Sequence, residues 1–143
     1  MNAQKDLPAA SILAIIAVRS DAVKDIPESL QTPEFYREAV RRNGFVFRRL
    51  PEEWQTPELA LEAVRNTPRV FGYLLPEQKT PEVVLEAVRQ DGMLLALVPD
   101  EMKTPEACDA AVENNPAAVK YVPREKRSAF ARGAWTIYKH FSA

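Results

Sequence analysis

Apolar and polar positions alternate along this chain in a pattern that returns at one fixed interval. Thr-Pro-Glu begins at Thr32, Thr56, Thr80 and Thr104. Ala39-Val40, Ala63-Val64, Ala87-Val88 and Ala111-Val112 follow in step. Breakers come next in register as Asn43-Gly44, Thr67-Pro68, Asp91-Gly92 and Asn115-Pro116. A short apolar run then ends at Pro51, Pro76, Pro99 or Pro123. Such self-similarity is the mark of a repeat architecture.

Each unit reads as a helix–turn–helix. Threonine caps a helix by accepting a bond from a first-turn N–H. Proline at the next position has no N–H to lose, and glutamate then suits the positive end of the macrodipole. The spacing predicts first helices over Pro33–Arg42, Pro57–Asn66, Pro81–Gln90 and Pro105–Asn114. Shorter second helices are expected at stretches such as Phe45–Leu50 and Met93–Val98, each stopped by a proline. The third unit reads as slipped, with Leu75 gained before Pro76 and one residue lost after it.

The apolar columns of the first helices are Phe35/Leu59/Val83/Ala107, Tyr36/Ala60/Val84/Cys108, the four alanines and the four valines. Their spacing makes one stripe on a helix. The second runs add Phe47/Phe71/Leu95/Val119 and Leu50/Leu74/Val98/Val122. A single unit cannot bury this stripe, but stacked neighbours can. The fold class is therefore all-α: a stack of short helix-turn-helix repeats, α-solenoid-like, in one domain over 1–143. Its units are expected near 8–30, 31–54, 55–78, 79–102 and 103–123, with a C-terminal cap at 124–143.

The ends differ from the middle. Arg124–Phe141 reads as an amphipathic capping helix, with Phe130, Ala134, Ile137, Tyr138 and Phe141 on one stripe. Near the start, Ala17-Val18 resembles the Ala-Val pairs and places the first unit two residues short of the others. On that alignment Ile12 and Ile16 fall where other units carry glutamate. The N-terminal helix is then apolar nearly all round, which implies extra cover. A homodimer through this helix is one expected source, and Ile12 and Ile16 become candidate partner-binding residues.

The units Glu62-Ala63-Val64-Arg65-Asn66 and Glu86-Ala87-Val88-Arg89-Gln90-Asp91-Gly92 resemble a bacterial tandem helical-repeat family of unknown function. Its pattern is roughly Glu-Ala-Val-x-x-Asn-Gly followed by a leucine-containing second helix. The likeness spans about residues 31–123. The regular Thr-Pro and the proline after the second helix depart from it. The resemblance implies tandem hairpins and carries over no catalytic residue.

Composition narrows function mostly by exclusion. The 143 residues carry a net charge of −1, so no global field draws in nucleic acid or an anionic membrane. The longest apolar run, Ile12–Val18, is far short of the ~20 residues a spanning helix needs. No signal-peptide pattern opens the sequence. The single cysteine, Cys108, allows no intrachain disulfide and suits a reducing, cytoplasmic setting. Cys108 falls in a core column and His140 on the polar side of the last helix. Neither has partners in the sequence for a nucleophile or a metal site. Carboxylate pairs such as Glu52-Glu53 lie on links. No enzyme, cofactor or metal site is expected.

What remains is binding. Arg41, Arg65 and Arg89 form a column that would line one face of a stack; Glu38, Glu62 and Glu86, three residues earlier, are their expected partners within each helix. Arg37, Arg41, Arg42, Arg48 and Arg49 form the densest basic cluster, the alternative being a nucleic-acid site. Leu61 and Leu85 sit at the edge of the apolar stripe and would mark a protein-binding groove if exposed. Trp54 is expected to plug the groove between units. The favoured reading is a non-enzymatic protein–protein interaction module, with Ile12, Ile16, Leu61, Leu85, Arg41, Arg48 and Arg49 as candidate contacts to another protein. Nucleic acid and membrane are disfavoured as partners.

Overall fold

A computed structural model describes residues 8–142. Among these, six α-helices start at one constant interval: α1 (Ala9–Val18), α2 (Pro33–Arg42), α3 (Pro57–Asn66), α4 (Pro81–Gln90), α5 (Pro105–Asn114) and α6 (Ala129–Phe141). The described residues contain no strand. The all-α repeat stack divides into two compact units, one ending at Leu74 and one beginning at Leu75.

The caps form as the sequence dictates. Thr32, Thr56, Thr80 and Thr104 each accept a bond through Oγ1 from the N–H three residues on, at 3.2, 3.2, 3.3 and 3.1 Å. Helices α2 to α5 begin and end at the expected residues.

The second helices differ from expectation. They are 3-10 rather than α, over Ser20–Asp25, Gly44–Arg49, Pro68–Tyr73, Gly92–Leu97 and Pro116–Tyr121. The fixed breakers leave only short runs, and i→i+3 bonds close at once where α-helical bonds would leave most groups orphaned. Asn43, Asp91 and Asn115 start these turns by accepting from the N–H two residues on, at 3.1, 3.0 and 3.0 Å. A further short 3-10 turn follows in each unit, at Glu28–Leu30, Glu52–Trp54, Pro76–Gln78, Asp100–Met102 and Arg124–Lys126.

Three register readings are corrected. First, the Arg19 N–H closes α1 on the Ile15 carbonyl, as Asn43 closes α2 on Ala39. Ile15-Ile16, not Ala17-Val18, therefore stand in the Ala39-Val40 columns, and the first unit has full length. Secondly, the third unit does not slip. Leu75 occupies the place of Pro51, Pro99 and Pro123 before the short turn, and its N–H donates to Gln78 Oε1 at 2.9 Å. Thirdly, Arg124–Phe141 is not one helix. Arg124–Lys126 is the linking turn. Ser128, one full repeat after Thr104, caps α6 by accepting from the Ala131 N–H at 3.1 Å. The last helix is thus the first helix of a sixth unit.

In the unit ending at Leu74 the core includes Ile16, Val23, Tyr36, Val40, Phe47, Val64 and Phe71; in the other it includes Val83, Val84, Val88, Leu95, Cys108, Val112 and Val119. A column the periodicity did not single out, Val46/Val70/Leu94/Ala118, is buried as well.

The breakers set how closely helices approach. A Cβ on Gly92 would stand 2.2 Å from the Ala111 carbonyl oxygen of α5, and one on Gly44 would stand 2.6 Å from that of Ala63 in α3. Neither glycine has positive φ, so space, not conformation, requires them. Each glycine N–H is also tied across the junction: Gly44 to Thr67 Oγ1 at 3.1 Å and Gly92 to Asn114 Oδ1 at 2.7 Å. Asn114 Nδ2 donates in turn to the Arg89 and Gln90 carbonyls that end α4. Asn43 Nδ2 does the same for Ile16 and Ala17 at the end of α1. Pro68 and Pro116 hold the same column and have no N–H to give. From the second unit to the fifth, glycine and proline thus alternate in a column where the first unit holds Ser20.

Candidate functional site

The nominated residues do not assemble into a site. Ile12 is 8% exposed and Ile16 is fully buried, which corrects their assignment to a partner surface. Aligned on the cap, they fall in the Tyr36 and Val40 columns and face the core. Helix α1 instead exposes Ile15 and Val18. Leu61 and Leu85 are each half-buried at the edge of the stripe, one in each compact unit, and neither makes an exposed apolar patch.

The arginine column is mostly spent across helices rather than within them. Arg41 Nε donates to Glu62 Oε1 of the next helix at 2.7 Å, and Arg65 approaches the same carboxylate at 3.6 Å. Arg89 lies 3.8 Å from Glu106 of α5. Only the Arg65–Glu62 pair has the expected partner. Glu38 takes Arg42 at 3.0 Å, because one turn separates them on the same face.

The basic cluster is partly occupied too. Arg48 lies over the Tyr73 ring at 4.3 Å, and Phe45 meets the same ring edge-on at 5.7 Å. Arg49 is exposed. Trp54 is half-buried against Tyr36, ring centroids 4.8 Å apart, as a plug would be. Burial, with help from Glu53, raises the Tyr36 phenol above its ordinary value.

Cys108 is buried, and that burial pushes its thiol up, away from nucleophilic use. His140 is exposed and edge-on to Phe141. Among the described residues, no group of three or more His, Cys, Asp or Glu side chains could hold a metal ion. Lys103 is the one described charged side chain that is buried: Nζ donates to the Tyr121 carbonyl at 2.8 Å and pairs with Asp100 at 2.9 Å. The hydrogen bond from Lys103 holds the Asp100 carboxyl below its usual range.

The surface that stands out is the outer face of α6. Its inner side is fastened to the second compact unit. Ala131 is buried, Ser128 Oγ donates to Asp109 of α5 at 2.7 Å, and Arg127 lies over Trp135 at 4.1 Å, with Trp135 stacked on Tyr138. The outer side bears Phe130, Ile137 and Phe141, exposed by 53%, 63% and 80%. The expected capping stripe is therefore only half used for capping.

The columns make this informative. Phe130 stands where α2 to α5 carry Glu34, Glu58, Glu82 and Glu106. Ile137 stands in the column of Arg41, Arg65, Arg89 and Glu113. The face that carries the ion pairs in earlier helices becomes apolar in the last one. Beside it lies a groove of about 580 Å³ lined by Val112, Pro116, Phe130, Ala134, Ile137 and Tyr138 among others. The Pro116 ring lines this groove, in the column where Gly92 lets α5 close on α4. Sequence periodicity finds the stripe; only comparison down the columns shows that it faces out.

Residues 32–79 and 80–125 each match the family model described as Domain of unknown function (DUF4116). Each match begins at a capping threonine and holds one glycine-joined helix pair, α2–α3 or α4–α5. No curated protein and no solved structure matches the chain. No described helix is long and apolar enough to cross a membrane. The matches cover well over half of the chain, which belongs to this family.

Proposed function

We propose that this member of the DUF4116 family is a non-enzymatic protein-interaction module of the cytoplasm, and that its contact surface is the outer face of α6. One observation carries the reading. Phe130, Ile137 and Phe141 expose large apolar side chains, the first two in columns that other helices fill with charge. The largest apolar patch on a folded domain is often functional. Aromatic residues are also the side chains that dominate interface energetics.

The test replaces Phe141 with a photo-reactive benzoylphenylalanine in the full chain and irradiates the cells that make it. A control carries the same group at Glu58, on the charged face. Protein adducts are expected at position 141, and their loss when Ile137→Glu is added. No adduct at 141, or equal adducts at 58, would overturn the reading.

A further inference from the structure

We propose that the occupant of the α6 face is a second copy of this chain, paired antiparallel about a two-fold axis; this rests on the interaction reading above. The stripe Phe130, Ala134, Ile137, Phe141 has the 4-3-4 spacing of a helix-pairing seam. A two-fold axis near residues 135–136 sets Phe130 against Phe141 of the second copy. It sets Ile137 against the small residues Gly133 and Ala134. Gly133 has open space around it: a Cβ there meets nothing within 4 Å. The surface is thus complementary to itself, large against large at the ends and large against small in the centre, as an isologous interface requires.

Area and charge point the same way. With an aromatic side chain worth roughly 200 Å², the three exposed residues offer roughly 350–400 Å² of apolar surface per copy. Exposed Pro116 and half-buried Tyr138 on the groove rim add a little to this. Two copies then bury roughly 700–800 Å² from these residues, below the ~1,200 Å² of standard specific interfaces and in the range of a weak, concentration-dependent dimer. No charge lies on the stripe, so pairing opposes no like charges. Arg132 and Lys139 leave α6 about 180–200° around from Phe130, on the far side. An anionic bilayer or an acidic helix would need cations flanking the stripe, and they stand opposite it instead.

The experiment is sedimentation equilibrium of the full chain over a wide concentration range, beside Ile137→Glu and Phe130→Cys and Phe141→Cys variants. The parent is expected to dimerise, and Ile137→Glu to weaken dimerisation at least about tenfold while keeping its helical circular dichroism. The positions are exposed, so the fold is not at stake. Under oxidation, a mixture of the two cysteine variants should crosslink and neither alone should, since Cys108 is buried. A parent that stays monomeric up to millimolar concentration overturns the proposal. So does crosslinking of either variant with itself, which would mean a parallel pair, or flotation of the monomer with anionic vesicles. The photo-adducts separate the two readings: a mass of twice the chain supports both, a foreign protein alone sinks the dimer but not the interaction module, and none sinks both.

Discussion

Replacing Gly92 by alanine tests the geometry that sets the repeat. The added Cβ would lie 2.2 Å from the Ala111 carbonyl oxygen, 3.0 Å from its carbon and 3.3 Å from Cα, against 3.4 Å for an ordinary contact. The obstacle is backbone, so no rotamer relieves it, and α4 and α5 must part by about 1 Å for a normal contact to form. Overpacking of this kind costs about 1–3 kcal/mol. Separation also stretches the 2.7 Å bond from the Gly92 N–H to Asn114, for about 1 kcal/mol more. Alanine recovers about 0.4–1 kcal/mol by stiffening the unfolded chain. The expected net is a loss of about 1–3.5 kcal/mol, the balance of these terms. Gly44→Ala should cost a similar amount, because its Cβ would lie 2.6 Å from the Ala63 carbonyl oxygen and 2.7 Å from Thr67 Cβ, which no rotamer change moves. Gly133→Ala meets nothing and should stabilise by up to about 1 kcal/mol from helix propensity. Urea denaturation followed by circular dichroism reads all three. A Gly92→Ala cost under about 0.5 kcal/mol, the range of a neutral surface change, or a Gly133→Ala loss as large as the other two, would refute the close-approach account.

Lys103→Met should lose about 1–3 kcal/mol, because the Tyr121 carbonyl is left without its donor; chemical denaturation measures it. In the parent, Asp100 titrates below its ordinary 3.8 when folded. Its contribution is therefore present above about pH 4 and fades as pH falls further, and Lys103→Met should flatten that acid limb of a stability–pH curve. Cys108, raised by burial, should resist a thiol reagent at about pH 8 in the folded chain and react at once in urea; rapid labelling of the native protein would contradict its placement. A double-mutant cycle on Arg41 and Glu62 should give a coupling below about 1 kcal/mol, since both ends of the pair meet solvent.

Much of the fold is legible in the sequence because its punctuation is chemical. Thr-Pro-Glu states a helix start in three residues, and four helices fall where those signals put them. The period fails where punctuation is absent. Pro8 stands in the cap column without a hydroxyl to accept a bond, so alignment falls on a chance Ala-Val pair and turns Ile12 and Ile16 outward. Ser128 caps α6 with serine and no following proline, which hides the sixth unit. The 3-10 character of the second runs depends on closing hydrogen bonds within one short run, a matter of length rather than composition. The α6 surface is legible as a stripe but not as a face: periodicity says that apolar residues share a side, and packing decides which side is covered.

The alternation of glycine and proline in one column has a consequence for how such chains can lengthen. Duplicating a single unit would put two glycine junctions, or two proline junctions, in succession. Two glycines in a row would demand two close approaches from one helix; two prolines would leave one helix with no backbone N–H tie at either junction. Duplicating two units together restores the order. Duplication is therefore expected to copy the glycine-joined pair of hairpins, the length that each family match spans.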